Sequence, residues 1–182
     1  PWAVGDAILA KKNLGTNRRM ARHTVALGPG FTAGVDVDAV IETKRGHQLG
    51  RIIWQGTAIA NTGIPGLIAG YGKERVIHSQ QAGFVYGLVH IGDKVKKGQP
   101  MAVLTEEPIP FGMAVTECMG TPILASLTGF VRGLIRDGYQ VPQGFKIADI
   151  DPRDDERENC FTISDKARSL GGAVLTALLW MG

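Results

Sequence analysis

Three glycines in seven positions, Gly28-Pro29-Gly30-Phe31-Thr32-Ala33-Gly34, follow directly on the apolar run Thr24-Val25-Ala26-Leu27. A strand that empties into such a loop lets backbone amides converge on an anion or lets the chain approach a ligand closely. The stretch is not a phosphate loop, because the Lys-Ser/Thr pair is missing. It is not a dinucleotide fingerprint either, because Gly28-x-Gly30 lacks a third glycine at the required spacing. A tight structural turn and a ligand loop therefore both remain open, and the nearby Lys11-Lys12-Asn13 and Gly15-Thr16 lend weight to the ligand loop.

A second group lies at Lys44-Arg45-Gly46-His47, between Val35 to Ile41, which alternates early and then turns apolar as a strand entering a core does, and the return strand Leu49 to Trp54. This reads as a hairpin turn. Arg45 and His47 beside a flexible glycine suit an anionic group, and a solvated hairpin tip explains them equally. The candidate ligand set is thus Lys11, Lys12, Gly28, Gly30, Gly34, Arg45 and His47. No metal set is expected: Cys118 and Cys160 have no Cys or His beside them at metal-ligand spacing. They read as ordinary thiols of a reducing cytoplasm. As nucleophiles they lack a neighbouring histidine or helix start to lower the pKa, so the residues form no catalytic constellation and the reading leans away from an enzyme without deciding it.

The net charge of +3 is unevenly spread. Lys11, Lys12, Arg18, Arg19 and Arg22 face only Asp6 among residues 1 to 35, while Asp151, Asp154, Asp155, Glu156 and Glu158 outnumber Arg153 and Arg157 in residues 151 to 159. The basic segment has no aromatic interleaving for base stacking, which argues against nucleic acid. The acidic run reads as a solvated loop. No apolar run approaches the roughly 20 residues of a membrane span, and the start at Pro1 has no signal-peptide pattern. A chain that starts at proline without Met is expected to be cut from something longer.

What must position these residues is a turn-rich, mostly β chain, since 25 of 182 residues are glycine, about twice the usual share. The second half holds an internal repeat, Gly83 to Leu104 against Gly129 to Ile150, with nine identical positions that include Val85/Val131, Val95/Val141 and Ala102/Ala148. Each copy reads strand, turn, short strand, turn, strand, and neither can bury its apolar face alone. The spacing resembles the barrel-sandwich hybrid of biotinyl and lipoyl carriers. Residues 105 to 126, where a carrier lysine would stand, contain none, so no covalent biotin or lipoyl group is expected. Asp165-Lys166-Ala167 instead falls in a C-terminal helix that Thr162 or Ser164 can cap, with Leu170, Val174, Ala177 and Leu178 on one face. The fold expected is α+β and mostly β. Residues 1–75 form a small α/β or β-hairpin region, 76–152 an unmodified barrel-sandwich hybrid, and 153–182 an acidic loop and helix.

Together, Asp6 to Thr16, the Gly28 to Gly34 loop with Asp36 and Asp38, Ile41 to Arg51, Asn61 to Gly66, the two half-repeats, Asp149 to Arg153 and Ile163 to Arg168 resemble the YqeB-type accessory proteins of the selenium-dependent molybdenum hydroxylase system. The resemblance covers almost the whole chain and is weakest over Met113 to Ser126. In that family a nucleotide-binding-like α/β domain precedes these stretches, and it is missing here. The resemblance implies a cytoplasmic bacterial maturation factor for hydroxylases of the xanthine dehydrogenase type. It implies as partners the target hydroxylase and the missing N-terminal domain, and as ligand the molybdenum cofactor or an oxyanion precursor. It supplies no catalytic residues. Two rival readings are sulfur or selenium transfer to the cofactor by Cys118 or Cys160, and a non-catalytic docking module built on a lipoyl/biotinyl-like fold.

Overall fold

Residues 1–63, 66–155 and 157–182 are described by the structure, a computed structural model. Ile64 and Pro65 of the Asn61 to Gly66 loop, and Glu156 of the acidic run, lie outside the described residues. The chain divides into two units, residues 1–63 with 163–182, and residues 64–162.

In the first unit, β1 (Ala3–Asp6), β2 (His23–Leu27), β3 (Thr32–Ala33), β4 (Ala39–Ile41), β5 (Ile52–Ile53) and β6 (Gly56–Thr57) form two sheets. The larger has the order β1-β2-β4-β5, and β3 pairs with β6. The β1-β2 and β2-β4 pairs are parallel, and β4-β5 is antiparallel. Alternation along β2 sends Val25 and Leu27 to one face and Ala26 to the other. The first face packs on helix α1 (Asp165–Met181) through Ile41, Leu170, Ala173 and Ala177. The second is covered by Phe31, Ala33, Val37, Val40 and Ala58. Ser164 caps α1, its Oγ accepting from the Ala167 amide at 3.2 Å. The hairpin read from sequence forms, with Val40 opposite Ile53, but Val35 to Asp38 is turn rather than strand. There Asp36 accepts from the Thr32 amide, and Asp38 from the amide and hydroxyl of Thr24. These short carboxylates compete with a ladder for backbone donors.

The second unit contains β7 (Val76–His78), β8 (Gly83–Gly87), β9 (Lys94–Val95), β10 (Pro100–Thr105), β11 (Thr121–Leu124), β12 (Gly129–Leu134), β13 (Tyr139–Val141) and β14 (Lys146–Asp151). Both repeat copies form three strands. The short middle strand of each copy pairs with the first strand of the other, β9 with β12 and β13 with β8. The repeated residues are the core: Val85, Val95, Ala102, Val131, Val141 and Ala148 are all buried. The expected barrel-sandwich hybrid of the biotinyl/lipoyl type is not what forms. Among the described residues the strands make two open four-stranded sheets, β11-β10-β8-β13 and β7-β14-β12-β9, with no closed barrel. The repeat constrains which strands pair, but β7 and β11, which lie outside it, add an edge to each sheet. Among the described residues no helix is long and apolar enough to cross a membrane.

A fully buried carboxylate closes the second repeat. Asp151 accepts from Arg153 Nη2 at 2.7 Å and Nε at 3.0 Å, and Arg132 lies 3.8 Å away. The Arg153 hydrogen bonds outweigh burial and hold the carboxyl below the usual carboxylate range. A depressed folded-state pKa stabilises the fold above the unfolded value near 4, and this stabilisation is lost as pH falls through the folded pKa. Asp151→Asn is therefore expected to lose about 2–3 kcal/mol at pH 7 and to flatten the acid limb below about pH 4. Urea titrations between pH 2 and pH 7 check this; parallel curves for the two proteins would contradict it.

Candidate functional site

Parallel β1, β2 and β4 end together, since Asp6 lies opposite Ala26 and Leu27 opposite Ile41. The loops that leave those carboxyl ends are Ala7 to Asn13, Gly28 to Gly30 and Glu42 to Arg45. They contain five of the seven residues singled out in the sequence: Lys11, Lys12, Gly28, Gly30 and Arg45. In open α/β sheets this edge is where ligands bind, because loops and strand ends converge there. The sequence did not announce β1, so it did not show that the basic segment and the glycine loop leave the same edge.

Two glycines seat the loops against one another. A Cβ on Gly30 would lie 2.6 Å from Lys12 Cα and 2.7 Å from Lys12 N, and a Cβ on Gly28 would lie 2.7 Å from Thr43 Oγ1. Both have positive φ, +106° and +80°, a region open to glycine. The Ala7 to Asn13 loop is also pinned from below. Buried Asp6 accepts from the Ile8 amide at 3.0 Å and from Thr16 Oγ1 at 2.6 Å. Leu9 and Lys11 themselves hold positive φ, +59° and +62°, a conformation that persists in side-chain-bearing residues only where the surroundings impose it.

Helix α1 begins at the same edge. Arg45 reaches Asp165 with Nη1 at 2.9 Å and Nη2 at 3.1 Å. These bonds, with the Lys166 amide, hold the Asp165 carboxyl well below the usual carboxylate range. Half-buried Lys166 follows. Burial first, then the charges of Lys11 and Arg45, push its amine below the ordinary lysine range, and only the Glu42 carboxylate pulls the other way. Among the described residues, Lys11, Lys12 and Lys166 make no ion pair. Glu42 is itself buried and committed to backbone, its two oxygens accepting from the amides of Lys44 and Ile59, each at 2.8 Å. What remains is three uncommitted ammonium groups, a helix N-terminus and close-packed loop backbone, an arrangement that favours an anion.

Glu42 was missed in the sequence. Lys166, which the sequence leaves at a helix start free for solvent or for an anion, was not grouped with the ligand set, because nothing local shows that α1 returns to the first sheet. Among the described residues, Gly34 and His47 make no hydrogen bond or ion pair with the lysines. The Gly34 carbonyl accepts from Arg18 Nη1, while Arg18 Nε and Nη2 engage Asp38. His47 lines a hollow of about 460 Å³ made by its own turn, Gln48 to Arg51. Cys118 is exposed, and burial pushes the Cys160 thiol up, opposite to what nucleophile activation requires. Among the described residues, no three His, Cys, Asp or Glu side chains gather as metal ligands do.

No family model matches the chain. Over 181 residues, 100% of this chain, it is 50% identical to "Uncharacterized protein YqeB" of Escherichia coli (strain K12), of which it spans 31%. The chain thus covers about a third of that relative's length. This similarity bears out the resemblance to the YqeB family and carries no information on molybdenum or selenium. Two similar solved structures are an aspartoacylase family protein from Mesorhizobium loti and a succinylglutamate desuccinylase/aspartoacylase from Rhodobacter sphaeroides. The first has a TM-score of 0.35 and 20% identity over 44% of this chain and 24% of that one. The second has a TM-score of 0.33 and 17% identity over 54% and 29%.

Proposed function

We propose that this chain, as part of a YqeB-type protein, holds an anionic cofactor or precursor during maturation of selenium-dependent molybdenum hydroxylases of the xanthine dehydrogenase type. The observation that carries the ligand class is the gathering of Lys11, Lys12, Lys166 and Arg45 around the carboxyl ends of β1, β2 and β4. The resemblance to the YqeB family supports the pathway. In this reading the ligand is cargo: a molybdenum-cofactor phosphate or an oxyanion precursor, handed to the hydroxylase as partner in the cytoplasm.

The chemistry is electrostatic. Lys166 is half-buried beside two like charges, so an arriving anion gains more there than at a fully solvated lysine, and it relieves the repulsion that lowers the amine's pKa. Lys11 and Lys12, on a loop braced by Asp6 and Gly30, add charge from the other side at little ordering cost. Arg45 is held by Asp165, which fixes the helix N-terminus against the β4 loop. A bacterial strain lacking the protein that carries this chain is expected to make the hydroxylase polypeptide with little activity, restored by the gene in trans. Full hydroxylase activity in the deletion strain would contradict the maturation role.

A further inference from the structure

Helix α1 is apolar on more than its inward side. Leu170, Ala173 and Ala177 face the sheet, yet Leu175, Leu179 and Trp180 are 58%, 72% and 80% exposed. Leu175 and Leu179, one turn apart, share a face with exposed Gly172, beside which a Cβ would meet nothing within 4 Å. A helix that is apolar around most of its circumference is a buried helix. The neighbouring strand is equally unfinished. Among the described residues parallel β1 pairs only with β2 and ends the sheet, and within Ala3–Asp6 it has no lysine or proline to blunt its open edge. Parallel sheets occur with both faces covered, and an unpaired edge presents free backbone donors and acceptors for a further strand. Trp2, just before β1, is 52% exposed and lies against the end of α1, where a Cβ on Gly182 would be 2.8 Å from its ring.

We infer that the β1 edge and the outward face of α1 dock a strand and helix from elsewhere in the longer polypeptide, extending the parallel sheet by one strand. The occupant follows from two facts. A strand added in parallel needs a crossover, usually a helix, from its own chain, and that helix would find Leu175, Leu179 and Trp180 waiting. The E. coli relative carries about two thirds of its length outside the matching stretch, so chain enough exists there to supply both. The inference does not depend on the anion site.

Hydrogen exchange and hydroxyl-radical labelling of the full-length E. coli relative, set beside the 182-residue chain, test it. In the full-length protein, amides matching Ala3–Asp6 are expected to be at least ten-fold better protected, and side chains matching Leu175 and Leu179 to be labelled at less than a third of the rate. Equal protection and labelling in the two proteins would overturn the inference. Protection in the 182-residue chain that is lost on dilution would assign the face to a second copy, and would overturn it too.

Discussion

Gly30→Ala is expected to weaken anion binding at least ten-fold and to cost about 3 kcal/mol of stability, although it adds a single methyl group. Two penalties coincide. The backbone sits at φ +106°, where an L side chain is strained, and the new Cβ would stand 2.6 Å from Lys12 Cα and 2.9 Å from Lys11 C. Those are main-chain atoms, which cannot rotate aside as a side-chain terminus can. The Ala7 to Asn13 loop must then lift away from the Gly28 to Gly30 loop, carrying Lys11 and Lys12 with it. Guanidinium unfolding and an anion titration of the same sample check both effects. Unchanged affinity in a folded Gly30→Ala protein would mean that the loop contact does not position the lysines.

Glu42→Ala is expected to cost about 3 kcal/mol, which in a chain of this size lowers the Tm by roughly 10 °C. The Glu42 side chain is buried, and its carboxylate alone joins the amides of Lys44 and Ile59. Truncation leaves two donors without their charged acceptor and opens a void, whereas Glu42→Gln keeps one acceptor oxygen and should lose less. Removing this carboxylate also deletes a charge that favours the Lys166 ammonium. Calorimetry of the three proteins should therefore rank them wild type, Gln, Ala. A loss below about 1 kcal/mol for the alanine variant would show that water satisfies both amides.

How far the site was legible follows from the range of its contacts. The glycine loop and Arg45 were readable because residue type and local spacing carry the meaning. The convergence of Lys11 on that loop was not, because β1 is four residues of moderate apolarity whose partner is chosen by parallel pairing, not by a turn. Lys166 was hidden for the same reason: its helix cap was visible at Ser164, but its neighbours lie more than 100 residues away in sequence. The repeat revealed the buried valines and the three strands of each copy, though not β7 and β11. It misled on architecture, since glycine and valine periodicity reports on turns and burial and does not say whether the sheets close. Gly34 was grouped with the loop by proximity, and its carbonyl is taken up by Arg18.

The central claim is that the carboxyl edge of the parallel strands binds an anion through its uncommitted lysines. Isothermal titration of the 182-residue chain with molybdopterin, phosphate, molybdate and selenite, repeated with Lys11→Met/Lys166→Met, tests it most directly. At least one of these anions is expected to bind saturably, more weakly as ionic strength rises, and to lose about ten-fold in affinity for each lysine removed. No saturable binding by any of the four, or binding that the double variant leaves intact, would contradict the account.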